Sequence, residues 1–105
     1  MSEKIFEISF GIISYAGDAK GLAFEAISLA KEGKIDEARE TMIKSKEGIT
    51  KAHRFQTELI QGEASGNKTE MSVILVHAQD HLMNAMNFQQ LADEFIDLYE
   101  RIESK

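Results

Sequence analysis

The sequence predicts an all-α protein, an up-down-up bundle of three long helices. Three observations carry that expectation. No proline occurs in the 105 residues, so nothing forces a kink or removes a backbone donor. Two polar, glycine-bearing breaks divide the chain into three segments of similar length. Within each segment the apolar residues recur at spacings of three and four, the period of an amphipathic helix.

In the first segment the series is Ile5, Ile8, Ile12, Tyr15, Ala19, Leu22, Ala26 and Leu29. It closes at Glu32-Gly33-Lys34, where Gly33 can take the left-handed conformation that ends a helix. The second series runs Ile35, Ala38, Met42, Ser45, Ile49, Ala52, Gln56 and Leu59, up to a glycine-rich polar loop over 62–68. The third runs Val73, His77, Asp80, Asn84, Phe88, Leu91, Phe95, Leu98 and Ile102. Helices of roughly 30 residues would be about 45 Å long, and the short connections set neighbours antiparallel. Gly11, Gly17 and Gly21, beside Ala16, Ala19 and Ala23, point to a face of the first helix that another backbone approaches. Apolar residues outside the three series (Phe6, Phe10, Phe24, Ile43, Phe55, Ile96) exceed what a thin bundle can bury and favour a homo-oligomer.

Composition sets further bounds. The length fits one domain, residues 1–105, and 43% apolar residues are enough for a folded core. Without cysteine, disulfides, thiolate zinc sites and thiol catalysis are excluded. The start, Met1-Ser2-Glu3-Lys4, has no basic region followed by an apolar block, and no stretch would span a bilayer, so the expected location is the cytoplasm. A net charge of −6 argues against nucleic-acid binding. Lys44, Lys46, Lys51 and Arg54 form one basic cluster, read as a solvated face, with His53 a surface histidine.

The third segment is where pattern and chemistry conflict. At 100° per residue, Asp80 lies about 60° to one side of His77, with His81 about 40° to the other and Asn84 about 20° away. These four polar residues interrupt the stripe that continues as Phe88, Leu91, Phe95 and Leu98, which is expected to be packed. Buried polar groups need partners, and three kinds fit. One is a hydrogen-bonded network that fixes register or oligomeric state. A second is a metal site from His77, His81 and Asp80, although the string His-Ala-Gln-Asp-His matches the inverted zinc-protease motif poorly. The third is a neutral imidazole acting as a phosphoryl acceptor near neutral pH, which works best if Asp80 is neutralised, for instance by a cation. Spacing alone does not choose among them.

The run Val73-Ile74-Leu75-Val76-His77-Ala78-Gln79-Asp80-His81-Leu82-Met83 resembles the signature of the enzyme IIA components of the lactose/cellobiose class of the bacterial sugar phosphotransferase system. Ile12 to Ala19 with Glu25-Ala26, the Gly33 turn into Asp36-Glu37-Ala38, and Leu91 to Ile96 are similar to that family as well, so the resemblance covers the whole chain. It implies a cytoplasmic homotrimer of three-helix bundles. His77 would take a phosphoryl group from the histidine phosphocarrier protein and pass it to a cysteine of the cognate IIB component. The membrane IIC component, engaged only indirectly, imports the disaccharide. Asp80 would lie at the threefold axis, where three copies hold one Mg2+ or another divalent cation, and His81 and Gln79 would support the phosphoryl group. Gln79, however, sits about 200° around the helix from His77, so its part should come from a neighbouring subunit.

Overall fold

In the computed structural model, which describes residues 3–105, the chain forms three helices: α1 (Glu3–Lys31), α2 (Ile35–Ala64) and α3 (Val73–Glu103). Met1 and Ser2, the head of the segment read as lacking a leader, lie outside the described residues. Both helix stops have one cause. Gly33 and Gly66 adopt φ of 82° and 93°, a conformation that costs glycine nothing. Each turn then closes with a paired hydrogen-bond pattern. At the first, Lys34 N–H donates to the Leu29 carbonyl and Gly33 N–H to that of Ala30; at the second, Asn67 N–H donates to Gly62 and Gly66 N–H to Glu63. Gly62 therefore lies inside α2, which runs further than the sequence loop allowed, and the connection spans 65–72 instead. α3 opens on Ser72, whose side chain accepts from the Leu75 N–H at 3.3 Å.

Contacts fix the up-down-up order. Along α1, Gly11 meets Phe55 and Ala19 meets Ser45, so α2 runs antiparallel to α1. Gly17 meets His81 and Phe24 stacks on Phe88, so α3 runs parallel to α1. Arg39 of α2 donates to Asp97 and Glu100 at 2.9 and 3.0 Å, and Lys46 pairs with Asp93 at 3.1 Å. The two carboxylates raise the Arg39 pKa by hydrogen bonding, but the pairs are exposed and add little stability. The bundle is thin, 56 × 20 × 17 Å. Among the described residues no helix is long and apolar enough to cross a membrane.

The reason for the thinness is the size of the inward side chains. Ala16, Ala19, Ala23, Ala26 and Ala30 of α1, Ala38 and Ala52 of α2, and Ala78, Ala85 and Ala92 of α3 are all buried. Only a few larger groups, such as Ile12, Leu82 and Ile96, fill the space between them. Close approach also needs Gly48, where an added Cβ would stand 3.1 Å from Cβ of Ala19. Of the two buried polar side chains among the described residues, Ser9 leaves its Oγ without a partner, whereas Ser45 forms a junction. Ser45 Oγ donates to the Ala19 carbonyl at 2.6 Å and accepts from Gln89 Nε2 at 2.9 Å, tying all three helices together.

The second-helix series faces inward as expected, with Ala38, Met42, Ser45, Ile49, Ala52 and Leu59 buried. Two expectations are corrected. In α1, Ile8, Ile12, Ala19 and Ala26 are buried as the series expects, but the buried face also takes in Ala16, Ala23 and Ala30, while Tyr15 stays exposed and stacks on Phe55. In α3 the inward face is Leu75, Ala78, Leu82, Ala85, Ala92 and Ile96, and of the stripe expected to be packed Phe88 meets the core while Leu91, Phe95 and Leu98 point outward. Leu91, Phe95, Leu98 and Ile102 are each about half exposed. The two α3 series are offset by about half a helical turn, so the helix is apolar on opposite sides. Within the chain α1's glycines meet side chains or open space: Gly11 accommodates the Phe55 ring, Gly17 faces the His81 ring and Gly21 has nothing within 4 Å, while the backbone that does come close to α1 does so at Ala19, opposite Gly48.

Leu82→Ala should therefore lower the unfolding free energy by about 2–5 kcal/mol, because it opens a cavity between all-buried neighbours. Ser45→Ala should cost about 1–3 kcal/mol by stranding the Gln89 amide. Denaturant unfolding followed by circular dichroism at one fixed protein concentration measures both. A cost below 1 kcal/mol for Leu82→Ala would contradict the assigned face.

Candidate functional site

The site occupies the first turns of α3. Ser72 caps the helix and a continuous apolar run, Val73 to Val76, carries it into His77. Helical rotation then sends Leu75, Ala78 and Leu82 inward, leaving His77, Asp80 and Asn84 exposed on the opposite side. His77 and Asp80 line one open hollow with Met71, Ser72, Val73 and Val76. Asn84 Nδ2 donates to Asp80 Oδ2, one turn away, at a long 3.4 Å. None of these three is buried in the chain's own fold, so the polar break is not a core network within one chain.

His81 turns toward α1. Its ring lies 5.9 Å from that of His77, centroid to centroid, with the planes inclined by 22°. Its Nε2 points at Gly17, where an added Cβ would be only 3.3 Å away. Farther along the same flank, Phe24 stacks on Phe88 at 4.2 Å and Lys20 lies over the Phe88 ring. Phe6 and Phe10, 5.0 Å apart, continue an exposed aromatic edge along α1.

Gln79 is on the other flank, as its rotation requires. It accepts a 2.6 Å hydrogen bond from Gln56 Nε2 of α2 and lines a groove with Leu59 and Ile60 that adjoins the His77 hollow, sharing Met71 and Val76 with it. The structure thus brings His77, Asp80 and His81 to one side of α3 and sets Gln79 apart. Two residues join the candidate site that the sequence did not single out for it. Gln56 interrupts an apolar series, and that polar break is the signal that could have found it. Gly17 lay among the α1 glycines, but its partner became visible only in three dimensions.

The electrostatic setting is sparse. No lysine or arginine occurs between Lys68 and Arg101, so this stretch of α3 supplies no strong phosphate clamp. The basic cluster on α2 is exposed, as expected of a solvated face, with Lys46 paired to Asp93 and Lys51 over the Tyr15 ring. Among the described residues no group of three histidines, cysteines or carboxylates could hold a metal ion. The three-ligand site of His77, His81 and Asp80 in one chain is thereby corrected, since the two imidazoles stack rather than converge. What Asp80 does offer is one exposed carboxylate, a hard oxygen donor with a single long hydrogen bond. Such a donor suits a cation of the magnesium class, which accepts one or two carboxylates and completes its shell with water.

Comparison with known proteins places the chain. A model of the family described as "PTS system, Lactose/Cellobiose specific IIA subunit" matches residues 7–100. The lichenan-specific phosphotransferase enzyme IIA component of Bacillus subtilis is 51% identical over 102 residues, covering 97% of this chain and 93% of the relative. The cellobiose-specific enzyme IIA of Bacillus anthracis superposes with a TM-score of 0.96 at 55% identity, over 100% of this chain and 96% of that one. The IIA(Chitobiose) protein of Escherichia coli, solved in complex with HPr, gives 0.83 at 38% identity, over 97% and 99%. The chain belongs to the lactose/cellobiose-specific IIA family of the phosphotransferase system and is a phosphotransferase component of it.

Proposed function

We propose that His77 is the phosphoryl acceptor and that α3's outward face is the axis of a homotrimer in which the site is completed between subunits. The observation that carries this reading is the position of His77: exposed, beside Asp80, on a helix face whose other large residues are apolar and unpartnered. An apolar stripe along most of a helix marks a surface that another chain covers. With Asp80 central on that face, cyclic symmetry sets the His77 flank of one chain against the Gln79 flank of the next. Gln79, unable to reach its own His77, would then serve the neighbour's.

The donor is the phosphohistidine of the histidine phosphocarrier protein, consistent with the relative solved in complex with HPr. The His77 imidazole attacks phosphorus with its nitrogen lone pair as the donor's P–N bond breaks and that pair returns to the donor imidazole. In the second transfer a thiolate of the cognate IIB component attacks, an S–P bond forms and His77 recovers its lone pair. The IIB component then phosphorylates the disaccharide imported through the membrane IIC component, while this chain works in the cytoplasm. Catalysis is mainly positioning of an exposed, neutral nucleophile, and few cationic groups hold a phosphoryl group that must leave again. His81 donates to the phosphoryl oxygens. Asp80 from three chains would hold one divalent cation, Mg2+ by the preference of hard oxygen donors. Such an ion would offset most of the charge of three carboxylates brought together at the axis.

After incubation with phosphoenolpyruvate and the two general phosphotransfer proteins, intact-mass spectrometry should find one acid-labile phosphate per chain, on His77. His77→Ala should gain none, and phosphorylation of that variant at the wild-type level would overturn the assignment. A helical oligomer using the cluster only for register would instead lose stability with His77→Ala and carry no phosphate. Asp80→Asn should weaken both metal retention and trimer assembly, read by native mass spectrometry. An unchanged trimer that never held metal would contradict the axial role.

A further inference from the structure

Gly17 sits in the middle of α1, where glycine is a poor choice. Its backbone is ordinary helix, since only Gly33 and Gly66 among the described glycines have positive φ. No turn or left-handed conformation therefore requires it. Alanine there would stabilise the helix by about 1 kcal/mol on propensity alone. What glycine supplies at this position is space, and one group uses it. The single neighbouring heavy atom within 4 Å of an added Cβ is Nε2 of His81, at 3.3 Å.

We propose that Gly17 is a positioning residue for phosphoryl transfer: the side chain it lacks is the room in which His81 holds its imidazole beside His77. The inference rests on the reading of His81 as a donor to the phosphoryl group. A methyl at Gly17 acts twice. It lies closer to Nε2 than most side-chain carbons lie to their neighbours, so the ring must give way by a few tenths of an ångström. The His77 imidazole lies 5.9 Å from that ring by centroid, so movement of His81 changes the spacing of the two histidines. The methyl also places an apolar group against a ring nitrogen that is otherwise open for donation, removing water or a phosphoryl oxygen from that approach. The neighbouring glycines have different uses. Gly11 makes room for the Phe55 ring, a packing contact, and Gly21 is exposed with nothing within 4 Å.

Gly21→Ala is therefore the matched control, with the same helix and the same propensity gain but no histidine. The measurement is transfer from the phosphorylated histidine phosphocarrier protein to the full chain, as kcat and KM, beside thermal unfolding and oligomeric state. Gly17→Ala should lower kcat about tenfold, the scale of a sub-ångström misplacement, with KM changed less than about twofold. Its thermal midpoint should rise as that of Gly21→Ala does, with assembly intact, and Gly21→Ala should transfer at the wild-type rate. In a His81→Ala background, adding Gly17→Ala should slow transfer no further. Wild-type kcat in Gly17→Ala alongside a slow His81→Ala overturns the positioning role alone. Lost assembly, or a raised KM with kcat intact, overturns it equally. If His81→Ala itself transfers normally, the donor role of His81 falls and the positioning of Gly17 falls with it.

Discussion

Alanine on the inward faces of all three helices is the constraint from which the rest follows. Small inward side chains let the helix axes come close, and Gly48 against Ala19 allows the tightest approach. A bundle packed this way has little interior to offer. Few large apolar groups then fit inside, and Phe6, Phe10 and Phe24 on α1, and Leu91, Phe95, Leu98 and Ile102 on α3, stay substantially exposed. Surface of this kind is unfavourable for a chain alone and valuable for one that meets others. The same tight packing gives α3 a fixed rotation about its axis, because Leu75, Ala78, Leu82 and Ile96 each have a set place. That rotation decides what His77, Asp80 and Gln79 face.

The site inherits its economy from this arrangement. One helix supplies an exposed imidazole, an exposed carboxylate and, on the opposite flank, an amide held by Gln56. Completeness would come from repetition of the chain rather than from more residues on it. Few cations surround His77, which suits a carrier: tight phosphate binding would lower the energy of the phosphorylated state and slow its discharge. His81 has the most defined setting of the histidines, between His77 and the bare backbone of Gly17.

How far the sequence could be read depended on the side chains. The three helices and the Gly33 stop followed from periodicity and turn chemistry. The end of α2 did not, because Gly62 looks like a breaker and only the hydrogen bonds around Gly66 reveal the stop. For α3 the sequence held two apolar series with the same three-four spacing. The outer one carries phenylalanine and leucine and so gives the stronger hydrophobic signal, whereas the inner one is rich in alanine. Periodicity ranks faces by side-chain size and polarity, so it chose the outward face. In α1 the same bias favoured Tyr15 over Ala16. The separation of Gln79 from His77 was legible because it depends only on helical rotation. Its bond to Gln56 and the fit of His81 to Gly17 were not, because both join residues far apart in sequence.

Subunit mixing tests most directly whether α3's outward face works as an assembled, shared site. Chains carrying His77→Ala retain Gln79, and chains carrying Gln79→Ala retain His77, so each pure assembly lacks one half of every site. Unfolding and refolding the two together, at equal amounts, should restore phosphoryl transfer well above either pure variant, because mixed trimers pair an intact His77 with a neighbour's intact Gln79. Transfer in the mixture equal to the average of the two pure variants would contradict the account.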